Sequence, residues 1–151
     1  MPDGDGREVV PELRMQRVFD APRRLVFEAW SKAEHVSRWF TPAPLTTPRC
    51  EVDFRAGGVF RVVMRMPGGT DLPFEGEFRE IVPPERIVFV GKMHDGNEVS
   101  TTVTFAEHDG KTTLSVHQSY VFESDATRGA NAGWAQTLTQ LGDHVAALSS
   151  R

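Results

Sequence analysis

Trp134, Leu138, Leu141, Val145 and Leu148 recur at helical spacing near the end of the chain, whereas almost everything between residues 48 and 122 alternates with a period of two. The first pattern gives a long amphipathic helix one apolar face. The second gives short strands joined by glycine-containing turns. One helix and one sheet, each apolar on one side, bury those sides by packing on each other. That arrangement can enclose an apolar cavity beneath the helix, and the functional reading turns on whether the space exists and what it holds.

Strand parity assigns the inward side chains. Cys50, Val52 and Phe54 alternate with Arg49, Glu51 and Asp53, and Phe60, Val62, Met64 and Met66 alternate with Arg61 and Arg65. Phe74, Gly76 and Phe78 oppose Glu75, Glu77 and Arg79. Pro83 and Pro84 break the pattern. Ile87 to Met93 is apolar on both parities, which predicts a central strand. Val99, Val103 and Phe105 alternate with Ser100, Thr102 and Thr104, and Leu114, Val116, Gln118 and Tyr120 complete the meander. Turns are expected at 56–58, at 67–69, at Asp95-Gly96 and at Asp109-Gly110. An antiparallel sheet with one wet face is the simplest account.

Ahead of this meander, Leu13, Met15 and Phe19 suggest a first strand. Asp20, Ala21 and Pro22 resemble a helix start, with Asp20 or its neighbour as the cap. Val26, Phe27 and Trp30 follow at helical spacing, and a second short helix is expected from about Ala33 to Phe40, closed by Thr41 and Pro42. The predicted order is one strand, two short helices, about six strands and one long helix, an α+β arrangement. Residues 1–10 read as a flexible leader and residues 11–149 as one domain.

Composition excludes several classes of function. The 151 residues are 39% hydrophobic and 25% charged, with a net charge of −4. That balance argues against nucleic acid or an anionic membrane as the main partner. One cysteine, Cys50, permits no intramolecular disulfide, and no apolar run has signal-segment or membrane-spanning character, so a reducing, cytoplasmic setting is expected. Cys50 lies on an inward parity with no identifiable base, so it reads as a small core thiol rather than a nucleophile. The five histidines, His35, His94, His108, His117 and His144, show no close spacing suited to zinc or iron. Neither a metal nor a cofactor is expected.

Six segments in order carry a family resemblance: RVFDAPRRLVFEAW at 17–30, WFTP at 39–42, AGGVFRV at 56–62, GEFREIVPPERIVFV at 76–90, VTFAEHDGKTTLSV at 103–116 and GWAQTLTQL at 133–141. Together they resemble the homologues of the heat-shock-protein ATPase activator, within the START-like SRPBCC superfamily. The resemblance implies a helix-grip fold, in which a curved antiparallel sheet wraps the C-terminal helix and often leaves a hydrophobic cavity. It implies much less about activity, because the superfamily includes lipid and hormone binders, cyclases, ring-hydroxylase subunits and co-chaperone domains. In the eukaryotic activator this domain accompanies a separate N-terminal chaperone-binding domain, for which 151 residues leave no room.

Parity also turns four polar residues inward: Arg17, Glu80, Gln118 and Tyr120. The first two read as strand-end or ion-paired groups. Gln118 and Tyr120 fit either a structural pairing or the few oriented polar groups of a ligand pocket. Trp39, Phe60, Met64, Phe74, Phe78, Phe89, Gln118, Tyr120, Trp134 and Leu138 are the candidate ligand-binding set, and a bulky residue at Gly76 is expected to fill the space they surround. Three readings follow. The first is a module binding one small apolar or amphipathic molecule, as a monomer or homodimer. The second is a protein-interaction or stress-response domain, with a chaperone among the conceivable partners. The third is a cyclase- or hydrolase-type enzyme using an inward acid or Tyr120.

Overall fold

Period-two alternation from Thr46 onward resolves into a continuous antiparallel meander, and a computed structural model describes the chain over residues 11–149. The elements are β1 (Glu12–Phe19), α1 (Arg23–Glu28), α2 (Ala33–Trp39), β2 (Thr46–Val52), β3 (Val59–Arg65), β4 (Asp71–Val82), β5 (Arg86–Lys92), β6 (Glu98–His108), β7 (Lys111–Tyr120) and α3 (Asp125–Ser149). The leader expected over residues 1–10 lies outside the described residues. Spatial order in the seven-stranded sheet is β1-β7-β6-β5-β4-β3-β2, so every strand from β3 to β7 neighbours its predecessor, β1 pairs with β7, and β1 and β2 form the two edges. β5 is central, as its two-sided apolar run predicts. At the β6–β7 turn, Asp109 and Gly110 both have positive φ, 52° and 77°. This is the backbone of a tight hairpin whose twist matches the strands it joins.

One face of the sheet packs against the helices. Phe60, Val62, Ile87, Phe89, Val103, Phe105, Leu114 and Val116 are buried on it, and α3 presents Trp134, Leu138, Leu141 and Val145 to the same core. Val26 of α1, Val36 and Trp39 of α2, and Trp30 between them complete the layer. Ser124 caps α3: its Oγ accepts the Thr127 N–H at 3.3 Å, while Thr127 Oγ1 accepts the Ser124 N–H at 2.8 Å. Such reciprocal contacts satisfy amides that have no partner within the helix.

Two local expectations are corrected. Asp20 does not cap α1. Pro22 precedes the helix in an extended conformation without a side-chain cap, and the Arg23 N–H instead donates to Glu107 Oε1 of β6 at 2.8 Å. The first free amide is thus taken by a carboxylate 84 residues away in sequence. Glu80 does not face inward either. A bulge between Phe78 and Glu80 shifts the register, so Ile81 pairs with Ile87 while Glu80 pairs with Val88 on the outer face. There it forms an ion pair with Arg86, the kind of pairing its charge requires.

Candidate ligand cavity

α3 is built in two halves. Toward its C-terminal end Leu138, Leu141 and Val145 fill the concave sheet face. Toward its start the same side carries Ala126, Gly129, Ala130 and Gly133, at i, i+3, i+4 and i+7, and these side chains are too small to reach the strands. A cavity of about 330 Å³ lies beneath them. Met64, Leu72, Phe74, Phe89, Val99 and Gln118 form its floor from β3 to β7, and Phe40, Pro42 and Trp134 close one end. A Cβ at Gly129 or Gly133 would meet nothing within 4 Å.

The remaining walls are held by identifiable bonds. Thr137 Oγ1 donates to the Phe40 carbonyl at 3.1 Å, and Gln140 Nε2 donates to the carbonyls of Trp39 at 2.9 Å and Thr41 at 2.8 Å. The loop bearing Phe40 and Pro42 is thereby tied to α3. At the other end Asn97, fully buried, donates to the Phe122 carbonyl at 2.6 Å and accepts from the Val121 N–H at 3.0 Å. Ser124 Oγ donates to Asp95 Oδ2 at 2.6 Å. The β5–β6 turn therefore fixes where α3 begins.

Phe74 forms a wall because two glycines make room for it. Gly76 and Gly91 are register partners on β4 and β5. A Cβ at Gly76 would lie 2.8 Å from both Phe74 Cε2 and the Phe60 carbonyl oxygen. Gly76 is on the inward parity as expected, yet a bulky side chain there would collide with backbone and ring rather than enter the cavity.

Of the candidate set, Met64, Phe74, Phe89, Gln118 and Trp134 lie on the cavity wall. The others belong to the packed layer behind it, because aromatic and leucine side chains interlock with one another. Phe60 and Phe78 are stacked with centroids 5.2 Å apart, Trp39 is fully buried with Nε1 donating to the Ala29 carbonyl at 2.9 Å, and Leu138 is fully buried one turn past Trp134. Tyr120 is buried and contacts the wall through Gln118 alone among its side-chain hydrogen bonds: its hydroxyl donates to Gln118 Oε1 at 2.6 Å, and Gln118 Nε2 donates to Thr101 Oγ1 at 2.8 Å. Sequence reasoning missed the small-residue stripe of α3. The signal was present in the spacing of Ala126, Gly129, Ala130 and Gly133, on the face that continues into Trp134 and Thr137.

The other polar candidates are accounted for elsewhere. Arg17 Nη1 donates to Thr139 Oγ1 at 3.0 Å and Nη2 to the Ala135 carbonyl at 3.2 Å, tying β1 to α3. Burial, reinforced by the charge of Glu51, pushes the Cys50 thiol up to about 11, and burial pushes the Tyr120 hydroxyl up to about 12. Both are protonated at neutral pH. His35 of α2 and His144 of α3, remote in sequence, meet with Nδ1 and Nε2 3.0 Å apart. No group of three or more His, Cys, Asp or Glu able to hold a metal occurs among the described residues. A groove of about 430 Å³ lies on the outer face of the sheet, among Glu75, Arg79, Lys92 and Glu98. Its mixed charges are those of a solvated strand face.

A meandering antiparallel sheet closed over a long C-terminal helix, with a cavity under the first half of that helix, defines the helix-grip class. The chain belongs to the family of Activator of Hsp90 ATPase homolog 1-like proteins, whose model matches residues 20–146. Among solved structures, a protein of Chromobacterium violaceum is similar at 27% identity over 89% of this chain and 96% of its own, with a TM-score of 0.83. A protein of Nitrosomonas europaea is similar at 23% identity over 93% of this chain and 97% of its own, with a TM-score of 0.79. DynU16, from the dynemicin biosynthetic locus, shares the fold at 22% identity over 89% of this chain but 47% of its own, with a TM-score of 0.71. A comparison with curated proteins finds no match. Among the described residues, no helix is long and apolar enough to cross a membrane.

Proposed function

We propose that this chain binds one small, largely apolar molecule in the cavity between the sheet and the first half of α3. The observation that carries this reading is Gly133, half-buried on the cavity wall, with Gly129 at its exposed rim. Glycine inside a helix costs about 0.5 to 1 kcal/mol relative to alanine, and here an added Cβ would meet no neighbouring atom. A core selected only for packing would be filled at Gly133. A volume of about 330 Å³ matches the lower end of ligand pockets, roughly 300 to 1,000 Å³. Burying roughly 200 Å² of apolar ligand surface at about 25 cal/mol per Å² supplies about 5 kcal/mol before the cost of association.

An enzymatic reading has less support. The inward groups with titratable protons, Cys50 and Tyr120, are held protonated by burial, while the titratable lining residues His94 and Asp125 are exposed at the rim. A protein-interaction role has one observation in its favour, the exposed apolar pair Val121 and Phe122 just before α3. Binding by residues 11–149 as one unit, in a reducing cytoplasm and with neither metal nor cofactor, fits the single cysteine and the composition.

The test uses an environment-sensitive apolar dye, read by its emission and by energy transfer from tryptophan. Wild type is expected to bind one dye per chain. Gly133→Leu, whose Cβ meets nothing within 4 Å, is expected to abolish binding while far-UV circular dichroism and cooperative unfolding persist. A wild type that binds no dye, or a folded Gly133→Leu variant that binds it equally well, overturns the reading.

A further inference from the structure

The cavity wall is apolar apart from Gln118, Thr137 and, at its exposed rim, His94 and Asp125. Thr137 directs its hydroxyl hydrogen at the Phe40 carbonyl. Gln118 differs. It is only 7% exposed, and a primary amide carries two N–H donors. The Nε2 bond to Thr101 uses one of them, and the Tyr120 hydroxyl occupies Oε1. Tyr120 thus holds the oxygen end of the amide, Thr101 holds the nitrogen end, and among the described residues no acceptor engages the second hydrogen of this cavity-lining side chain. A buried donor with no acceptor is costly, because it has left water without a replacement hydrogen bond.

Charge narrows the ligand further. Neither lysine nor arginine lines the cavity, and the one carboxylate in its lining is Asp125 at the rim. A carboxylate or phosphate in the body of the cavity would leave water with only the exposed His94 at the rim to offer positive charge, which is several times costlier than burying a neutral carbonyl that finds a donor.

Building on the binding reading above, we propose that the cavity selects an uncharged molecule with an apolar body and one carbonyl-type acceptor, a ketone, ester or amide, whose oxygen accepts the second hydrogen of Gln118 Nε2. Fatty acids and other anions are excluded by the same wall that admits their neutral counterparts. The Tyr120–Gln118–Thr101 chain is then a positioning device that keeps the donor aimed before the ligand arrives.

Three naphthalenes of nearly equal shape test this: 2-acetylnaphthalene, 2-isopropenylnaphthalene and 2-naphthoate, each titrated into the full chain by calorimetry. The ketone is expected to bind about tenfold tighter than the alkene, the difference one buried hydrogen bond makes, and the carboxylate more weakly than either. In Gln118→Met the ketone advantage should vanish while the alkene still binds. Should that variant fold poorly, isotope-edited infrared spectroscopy of the ketone bound to wild type gives the same answer, through a carbonyl stretch lowered relative to that in hydrocarbon solvent. Equal affinities for ketone and alkene, an unshifted carbonyl, or tightest binding by the carboxylate overturns this inference and leaves cavity binding intact. If neither the dye nor any naphthalene binds, the cavity reading falls and this inference falls with it.

Discussion

The Phe74 ring occupies the place a side chain at Gly91 would need: a Cβ there would lie 2.7 Å from Phe74 Cζ, and 2.5 Å from the Glu75 carbonyl oxygen. An aromatic ring of β4 lies across a glycine of the neighbouring β5 and becomes a wall. Gly91→Ala is therefore expected to destabilise by about 1 to 3 kcal/mol or more, since backbone must shift as well as ring. Urea unfolding measures this, and a neutral result would mean that Phe74 does not rest on the sheet.

The helical glycines should behave in the opposite way. Gly129→Ala and Gly133→Ala place a methyl group in open space and remove a flexible residue from α3, so each is expected to stabilise by about 0.5 to 1 kcal/mol. The same substitutions should weaken dye binding by narrowing the cavity. Stability and binding moving in opposite directions is the signature to look for in paired melts and titrations.

The chain has one tyrosine, so its ionisation can be followed by ultraviolet absorbance without overlap. Burial pushes the Tyr120 hydroxyl up to about 12, against about 10 in an unfolded chain. Because burial disfavours the charged form, stability is fully present below about pH 10 and declines as pH rises toward the folded value. Phenolate absorbance should appear together with loss of circular dichroism. Ionisation near pH 10 in a still-folded protein would place the hydroxyl in water.

At the acid end, the hydrogen bond from Ser124, joined by the Asn97 N–H and the charge of His94, holds the Asp95 carboxyl below the usual aspartate range despite partial desolvation. A lowered carboxylate pKa adds stability above the unfolded value of about 4, and that increment disappears as pH falls through the folded value. Asp95→Asn should melt earlier than wild type at pH 7, and the gap should close as the pH falls through the folded value. Ser124→Ala, which also removes the α3 cap, is expected to cost about 1 kcal/mol.

Leu138 sits fully buried one turn beyond the cavity. Leu138→Ala is expected to cost about 2 to 5 kcal/mol while leaving dye stoichiometry at one. Loss of binding without loss of stability would reverse the assignment of the two helix halves.

Much of the architecture was readable because it rests on periodicity. The inward sets of β5, β6 and β7, Phe60, Val62 and Met64 of β3, the central place of β5 and the buried stripe of α3 all follow from side-chain alternation, which local sequence carries, whereas Met66, on the same parity, lies past the end of β3 and is exposed. The bulge before Glu80 was not readable, since one extra residue leaves no composition mark and changes the facing of everything after it. Nor was the cap on α1, because Glu107 arrives from another strand. His35 and His144 meet for the same reason, across 109 positions. The aromatic residues could be assigned to one face, but dividing Phe74 and Phe89 on the cavity wall from Phe60 and Phe78 behind it depends on ring packing in three dimensions. The small stripe of α3 is the exception, since Ala126, Gly129, Ala130 and Gly133 stand at helical spacing in the sequence itself.

That stripe also governs the size of the space beneath the helix. Ala126, Gly129, Ala130 and Gly133 act as adjustable spacers on a rod whose far half is bolted to the sheet by Leu138, Leu141 and Val145. Lengthening any one spacer resizes the chamber from above without disturbing a strand, a turn or a β-ladder bond. A scaffold arranged this way can change what it holds one methyl group at a time while its foundation stays as it is.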